Sequence, residues 1–146
     1  MKYIRLFIQL SRPVHILSAI LVYLLGISLN HYLTGQVDWS SLIYGLIWII
    51  LLLLAGQYLN EYFDPQTLTP GSIKKHTPFS GVTGAIGPAK LARPVALWAG
   101  LTCLAFVASI TVRILPIVHN KQAVLFIFGV MLLSELFYAL PPFRLV

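Results

Sequence analysis

Four polar side chains stand at the end of one of the longest apolar stretches in this sequence. Gln57, Asn60, Glu61 and Asp64 follow one another at offsets of three, four and seven residues from the first. These offsets place the four side chains on one face of an α-helix. Pro65 disfavours helical geometry at the residue before it, so we expect the helix to end near Asp64. Two of the chain's four acidic residues therefore stand at one helix end.

Carboxylates at the C-terminal end of a helix are disfavoured by the helix dipole, by about 0.3 to 1 kcal/mol at exposed sites. A positive partner is therefore expected beside Glu61 and Asp64. The candidates are a metal ion, the basic side chains of Lys74, Lys75 or Arg93, and plain solvation at the membrane surface. Mg²⁺ is commonly held by one or two carboxylates together with substrate phosphates. The spacing alone leaves all three alternatives open.

A long connection, residues 61 to 93, follows the polar stripe. It contains four prolines and four glycines, so a continuous helix is not expected across most of it. Connections beyond about 12 to 15 residues without regular structure are usually functional or disordered. Lysine meets phosphate as a point charge, and the backbone N–H groups of glycine-rich turns can line an anion site. Residues 61 to 93 are therefore the predicted functional loop, with Lys74 and Lys75 as candidate phosphate contacts.

Glu135 is the other conspicuous acid, because it interrupts a fourth apolar stretch. Acids within membrane helices are rare and normally face the bundle interior or an aqueous cavity, which favours a functional role. An internal pair with an arginine, or a hydrogen bond to a tyrosine, is the equally weighted alternative. Cys103 stands alone, so the sequence predicts neither a disulfide framework nor a cysteine metal cluster.

The elements that carry these residues are predicted to be membrane helices. Hydrophobic residues make up 58% of the 146 residues and charged residues only 10%, well below the roughly 25% charged residues of soluble domains. Crossing a bilayer takes about 20 apolar residues. We expect an all-α integral membrane protein with four transmembrane helices, near 14–33, 41–60, 94–112 and 123–140. The first of these apolar stretches is not interpreted as a secretory signal, because it is longer than the apolar core of a signal peptide, which spans about 7 to 15 residues.

The distribution of basic residues predicts the orientation, since cytoplasmic loops carry an excess of lysine and arginine. With the N-terminus and the loop 61–93 in the cytosol, eight of the ten basic residues lie on the cytosolic side. These are Lys2, Arg5, Arg12, Lys74, Lys75, Lys90, Arg93 and Arg144. The net charge of +6 is therefore interpreted as a topology signal with contact to membrane lipids, and not as a nucleic-acid surface. A multi-pass protein of the plasma or inner membrane is expected.

Three short blocks resemble a known family. They are "NEYFD" at 60–64, "TPFSGVTGAIG" at 77–87 and "FYALPPFRL" at 137–145. In content and order they resemble the UbiA superfamily of intramembrane prenyltransferases, and the pair Arg12 and Pro13 also fits. The "TPFSG" block is closest to the dihydroxynaphthoate branch of that family.

The resemblance implies transfer of an isoprenoid chain from a prenyl diphosphate to an aromatic quinone precursor or a lipid acceptor. It implies Mg²⁺ as the cofactor, with Asn60 and Asp64 as catalytic and metal-site residues and Glu61 as a further metal ligand. The same resemblance suggests Lys74, Lys75 and Arg93 as contacts of the substrate diphosphate. Three residues of the "TPFSG" block would shape the loop above the cavity, namely Thr77, Ser80 and Gly81.

Two departures from the family pattern qualify this expectation. Leu68 stands where the family carries a further aspartate. The chain also matches only the N-terminal half of a nine-helix bundle, so a truncated reading frame or one half of a split enzyme is expected, with little prenyl transfer on its own. A C-terminal-half polypeptide or a homo-oligomer would then complete the cavity. The alternatives are a noncatalytic isoprenoid- or lipid-binding subunit and a purely structural bundle.

Overall fold

The protein is all-helical in the part of the chain that the structure describes. The structure is a computed structural model, and it describes residues 2–63, 83, 85–86, 90–116, 118 and 120–139. Five helices follow one another in this part: α1 (Lys2–Leu10), α2 (Pro13–Thr34), α3 (Trp39–Phe63), α4 (Arg93–Ile114) and α5 (Lys121–Ala139). These residues form no β-strand, although an isolated bridge joins Ile86 to Leu91. The expected all-α class is confirmed.

Three helices are long and apolar enough to cross a membrane. They are α2, α3 and α4, with 22, 25 and 22 residues respectively. Many of their large apolar side chains are exposed, such as Val22, Leu25 and Phe106, as suits helices that face lipid. The helix expected near 123–140 is present as α5, but it has 19 residues, begins at Lys121 and contains Glu135. The fourth span is therefore not confirmed, and the count of four spans stays a prediction.

α1 is an element that the sequence analysis did not predict. This nine-residue helix packs Leu6, Phe7 and Leu10 against the rest of the protein and leaves Tyr3 and Ile4 exposed. The Phe7 ring of α1 packs edge to face against the Tyr58 ring of α3, with the ring centroids 6.5 Å apart. The signal was present in the sequence, since apolar residues three and four positions apart mark one helical face.

The chain breaks sharply between α1 and α2. Pro13 occupies the first turn of α2 and disfavours right-handed helical geometry at the residue before it. Arg12 accordingly adopts a left-handed conformation with φ of 46°, which is uncommon for any residue other than glycine. The turn directs the Arg12 side chain back into the protein, where only 7% of the residue is exposed.

The connection between α2 and α3 is short and capped at both ends. Gly35, with φ of 68°, ends α2 by donating its N–H to the His31 carbonyl over 2.8 Å. Asp38 precedes α3 and accepts hydrogen bonds from Ser41 Oγ at 2.6 Å and the Ser40 N–H at 3.0 Å. These bonds lower the pKa of the exposed Asp38 carboxyl, the Ser41 bond most of all. These bonds satisfy backbone and side-chain groups at the end of α2 and the start of α3.

α3 is the central helix of the bundle, because each of the other four helices packs against it. Around its N-terminal half, Trp48 and Leu52 form a core with Val107 of α4. Around its C-terminal end, Tyr58 packs with Leu10 of α1 and with Ala85, Ile86, Leu91 and Ala96. Part of the loop between α3 and α4 is therefore folded back into the protein.

Gly100 of α4 allows a close approach of α3 and α4, and we expect its replacement by alanine to be destabilising by about 1 kcal/mol. A Cβ at Gly100 would lie 3.0 Å from Leu59 Cγ and 3.4 Å from the Ala55 carbonyl oxygen. Overpacking typically costs about 1 to 3 kcal/mol, and the better helix propensity of alanine offsets about 1 kcal/mol of this.

Gly129→Ala on α5 is the matched control for Gly100→Ala, since a Cβ at Gly129 meets nothing within 4 Å. Thermal denaturation of the detergent-solubilised variants measures the difference. A Gly100→Ala protein as stable as Gly129→Ala would contradict the tight packing of α3 on α4.

Candidate functional site

Three of the four residues of the polar stripe predicted on α3 are described, and all three are helical. Asn60 and Glu61 are 1% and 0% exposed, and Gln57 is half-buried. α3 extends to Phe63 in the described part of the chain, and Asp64, the fourth residue of the stripe, lies outside it. Asn60 and Glu61 are therefore buried near the cytosolic end predicted for the bundle, and are not solvated.

The Glu61 carboxylate is held by groups from two other parts of the chain. Its Oε1 accepts a hydrogen bond from Thr83 Oγ1 at 2.8 Å, and its Oε2 accepts one from the Thr83 N–H at 3.1 Å. The guanidinium of Arg12 approaches the same Oε2, with Nη2 at 3.8 Å. We refer to Arg12, Glu61 and Thr83 as the Glu61 cluster. A buried carboxylate is tolerated only with such compensation.

Thr83 reaches Glu61 because its own segment is fixed from both sides. Gln9 Nε2 donates a hydrogen bond to the Thr83 carbonyl over 2.6 Å, and the Ala85 N–H donates to Thr83 Oγ1 over 3.2 Å. The hydroxyl of Thr83 can therefore direct its single proton towards Glu61. The sequence analysis missed this role of Thr83, since nothing in residue spacing links it to Glu61.

Arg93 binds the C-terminal end of α3 through Tyr62. Its Nε donates a hydrogen bond to the Tyr62 carbonyl over 2.6 Å, and its guanidinium lies 4.7 Å from the centroid of the Tyr62 ring. A cation that binds a terminal carbonyl compensates the negative end of the helix dipole. In the described part of the chain, Arg12 thus supplies the positive charge expected beside Glu61, and Arg93 supplies one at the Tyr62 carbonyl of the same helix.

Two adjoining cavities lie between α2, α3 and α5. The larger, of about 680 Å³, is mostly apolar, and its wall includes Val22, Ile27, Leu52 and Met131. The smaller, of about 410 Å³, is more polar and is lined in part by Arg12, His15 and Gln57. Ser18, Leu53, Ser134 and Glu135 line both cavities. Their sizes are within the range of roughly 300 to 1,000 Å³ that is typical of ligand pockets.

Glu135 stands at the junction of the two cavities. Its carboxyl group lies against Gly56 of α3, so closely that a Cβ on Gly56 would collide with Glu135 Oε2. The Glu135 side chain is therefore directed into the bundle, which is the orientation expected for an acid in an apolar helix. Gln57, which follows Gly56 on α3, has its Oε1 buried and without a hydrogen-bond partner among the described residues.

Several predicted site residues lie outside the part of the chain that the structure describes. They are Asp64, Lys74, Lys75, Thr77, Ser80 and Gly81. Among the predicted site residues that are described, Asn60 and Glu61 are neighbours on α3, and Arg93 contacts the end of the same helix. Leu68, where the family pattern has an acid, also lies outside the described residues.

The geometry at Glu61 does not suit the metal ligand that the resemblance implies. Both carboxylate oxygens are engaged by Thr83, and an arginine cation stands beside one of them. Mg²⁺ needs oxygen ligands in near-ideal octahedral geometry, and the adjacent guanidinium repels it. Among the described residues, no group of three or more histidine, cysteine, aspartate or glutamate side chains converges as a metal site would. Asn60 and Asp64 remain the predicted metal residues.

Comparisons with known proteins add no relative: no family model matches the chain, and neither the curated proteins nor the solved structures contain a match.

Proposed function

We propose that the chain is part of a UbiA-type prenyltransferase, and that it binds the isoprenoid chain of a prenyl diphosphate between α2, α3 and α5. The pair of adjoining cavities carries this proposal. An apolar chamber of about 680 Å³ meets a more polar one of about 410 Å³, which suits a ligand with a hydrocarbon tail and a polar head.

The polar end of the cavities is next to the residues that the family resemblance singles out. Arg12 lines the smaller cavity and also approaches Glu61, one position from Asn60. A diphosphate near Arg12 and His15 would therefore be close to the α3 end, from which Asp64 and the loop 61–93 continue. Apolar walls of the larger cavity would exclude water from the tail. When bound, Mg²⁺ would neutralise the diphosphate as a leaving group.

A noncatalytic isoprenoid- or lipid-binding subunit is the second candidate, and the Glu61 cluster favours it. An acid that is already bound by Thr83 and Arg12 contributes less to a metal site than a free one. Such a subunit would keep the cavities but would bind a lipid without any need for Mg²⁺.

Replacing Asp64 by asparagine is expected to weaken Mg²⁺-dependent binding of a prenyl diphosphate at least about tenfold, because a neutral amide is a poorer ligand for a hard cation than a carboxylate. The measurement is equilibrium binding of labelled geranylgeranyl diphosphate to membranes that contain residues 1–146, with Mg²⁺ and with a chelator.

Asp38→Asn is the matched control for Asp64→Asn, since Asp38 is an exposed acid at the opposite end of α3. Binding that ignores both the chelator and Asp64→Asn would favour the lipid-binding subunit. Absence of any isoprenoid binding would contradict both candidates. Robust transfer to a naphthoate acceptor by residues 1–146 alone would contradict the expectation that the chain is half of an enzyme.

A further inference from the structure

Glu135 and Gln57 bring polar groups to a mostly apolar space. Glu135 lies at the junction of the two cavities, and Gln57 lines the smaller one, its Oε1 being buried and unpartnered among the described residues. Leaving a buried acceptor without a donor is unfavourable. The arrangement is therefore suited to a ligand that brings a donor of its own.

We infer that Glu135 and Gln57 form a subsite for the hydroxyl group of a neutral ligand, held at the junction of the two cavities. The hydroxyl donates its hydrogen bond to Glu135, and the remainder of the ligand lies against the apolar walls. Under the proposed function this hydroxyl belongs to the prenyl acceptor, so the assignment rests on that function. Glu135 would act there as a specificity-determining residue.

The surroundings of Glu135 make the subsite selective. Glu135 is an acid among mostly apolar lining residues, whereas Arg12 and His15 line only the smaller cavity. A diphosphate would therefore be held on the Arg12 side, and a neutral hydroxyl would approach Glu135. An anionic head group gains no favourable contact from an acid in an apolar site and is discriminated against there.

Gly56 is the position that makes room for the Glu135 carboxyl. A methyl group on Gly56 would occupy the place of Glu135 Oε2 and lie 3.1 Å from its Cδ. Since only the end of a flexible side chain has to move, Gly56→Ala should displace the carboxyl and leave the helix intact. The variant thus removes the acceptor from the junction without removing the acid from the protein.

The test compares 1-naphthol with 1-methoxynaphthalene, which has the same rings and no donor. The purified 146-residue chain in detergent is titrated calorimetrically, with protein-free micelles subtracted. Mg²⁺ and prenyl diphosphate are omitted. We expect the wild type to bind the naphthol about tenfold more tightly than its methyl ether, because only the naphthol can donate a hydrogen bond to the Glu135 carboxyl group. Glu135→Leu and Gly56→Ala should each bring this ratio close to one.

Ser109→Ala is the matched control, because Ser109 lines neither cavity and donates its hydroxyl to the Ala105 carbonyl over 2.9 Å, as Ser134 beside Glu135 does to the Val130 carbonyl. It should leave the ratio unchanged, and Gln57→Leu should lower it. Equal binding of the two probes by the wild type, no binding of either, or a tenfold ratio that survives in both Glu135→Leu and Gly56→Ala would overturn the subsite.

The outcomes for the subsite and for the proposed function can be separated. A naphthol preference that depends on Glu135, together with prenyl diphosphate binding that does not depend on Mg²⁺, would support the subsite and exclude the transferase. Mg²⁺-dependent binding of prenyl diphosphate without any preference for the naphthol would support the proposed function and would show that Glu135 has no role in it.

Discussion

Arg12→Leu is expected to destabilise the protein by about 3 to 5 kcal/mol. The substitution leaves the fully buried Glu61 carboxylate beside an apolar side chain, and removal of one partner of a buried ion pair typically has an effect of this size. The two hydrogen bonds from Thr83 remain, which favours the lower end of the range. The midpoint of thermal denaturation in detergent, followed by size-exclusion chromatography of the folded protein, measures the loss.

Arg5→Leu is the matched control for Arg12→Leu, since Arg5 is an exposed arginine of α1. It should change stability little. The double variant Arg12→Leu/Glu61→Gln should recover part of the loss, because the neutral amide is less costly to bury than an unpaired carboxylate. Equal stability of Arg12→Leu and Arg5→Leu would show that the guanidinium does not stabilise Glu61.

Trp48→Ala is expected to have an effect of about 3 kcal/mol, because Trp48 joins three helices. Its ring stacks on Phe128 of α5 with centroids 4.1 Å apart, and its Nε1–H donates to Thr111 Oγ1 of α4 over 2.8 Å. Truncation of a buried tryptophan typically costs about 3 to 5 kcal/mol. Lipid surroundings reduce the transfer part of that cost, while the lost packing contacts remain.

Trp98→Ala is the control for Trp48→Ala, because Trp98 is 68% exposed on α4 whereas Trp48 is 2% exposed. Trp48→Phe should lie between the two, since it retains the ring contact and loses the hydrogen bond to Thr111. The same denaturation assay ranks the three variants. If Trp48→Ala and Trp98→Ala were equally stable, α3 would not be the packing centre between α4 and α5.

Residue patterns along the chain were sufficient to predict the long helices. Apolar stretches and the prolines that precede them predicted α2 and α4 to within a few residues. The offsets between Gln57 and Asp64 likewise predicted that Gln57, Asn60 and Glu61 follow one another along one helix, while their burial was left open. Such features depend on neighbours along one helix, which a sequence displays directly.

Contacts between distant segments were beyond the reach of the same reasoning. Glu61 meets Arg12 and Thr83 only because α1, α3 and the folded-back loop converge. Arg12 was counted only among the cytosolic basic residues and in the family resemblance, because the left-handed turn that directs it inwards is a tertiary feature. A glycine is needed at position 56 because Glu135 of another helix packs against it, and the sequence does not show this contact. Spacing cannot supply partners that come from different helices.

The Glu61 cluster also has a consequence for biosynthesis. Arg12 precedes α2 and Glu61 is near the end of α3, so their charges meet only if the two helices enter the membrane as an antiparallel hairpin. Thr83 is synthesised after both, and its two hydrogen bonds complete the compensation of the acid. A chain in which α2 or α3 fails to insert would leave an acid and a base stranded on opposite sides of the bilayer. The buried pair therefore forms only in a chain whose α2 and α3 cross the membrane in opposite directions.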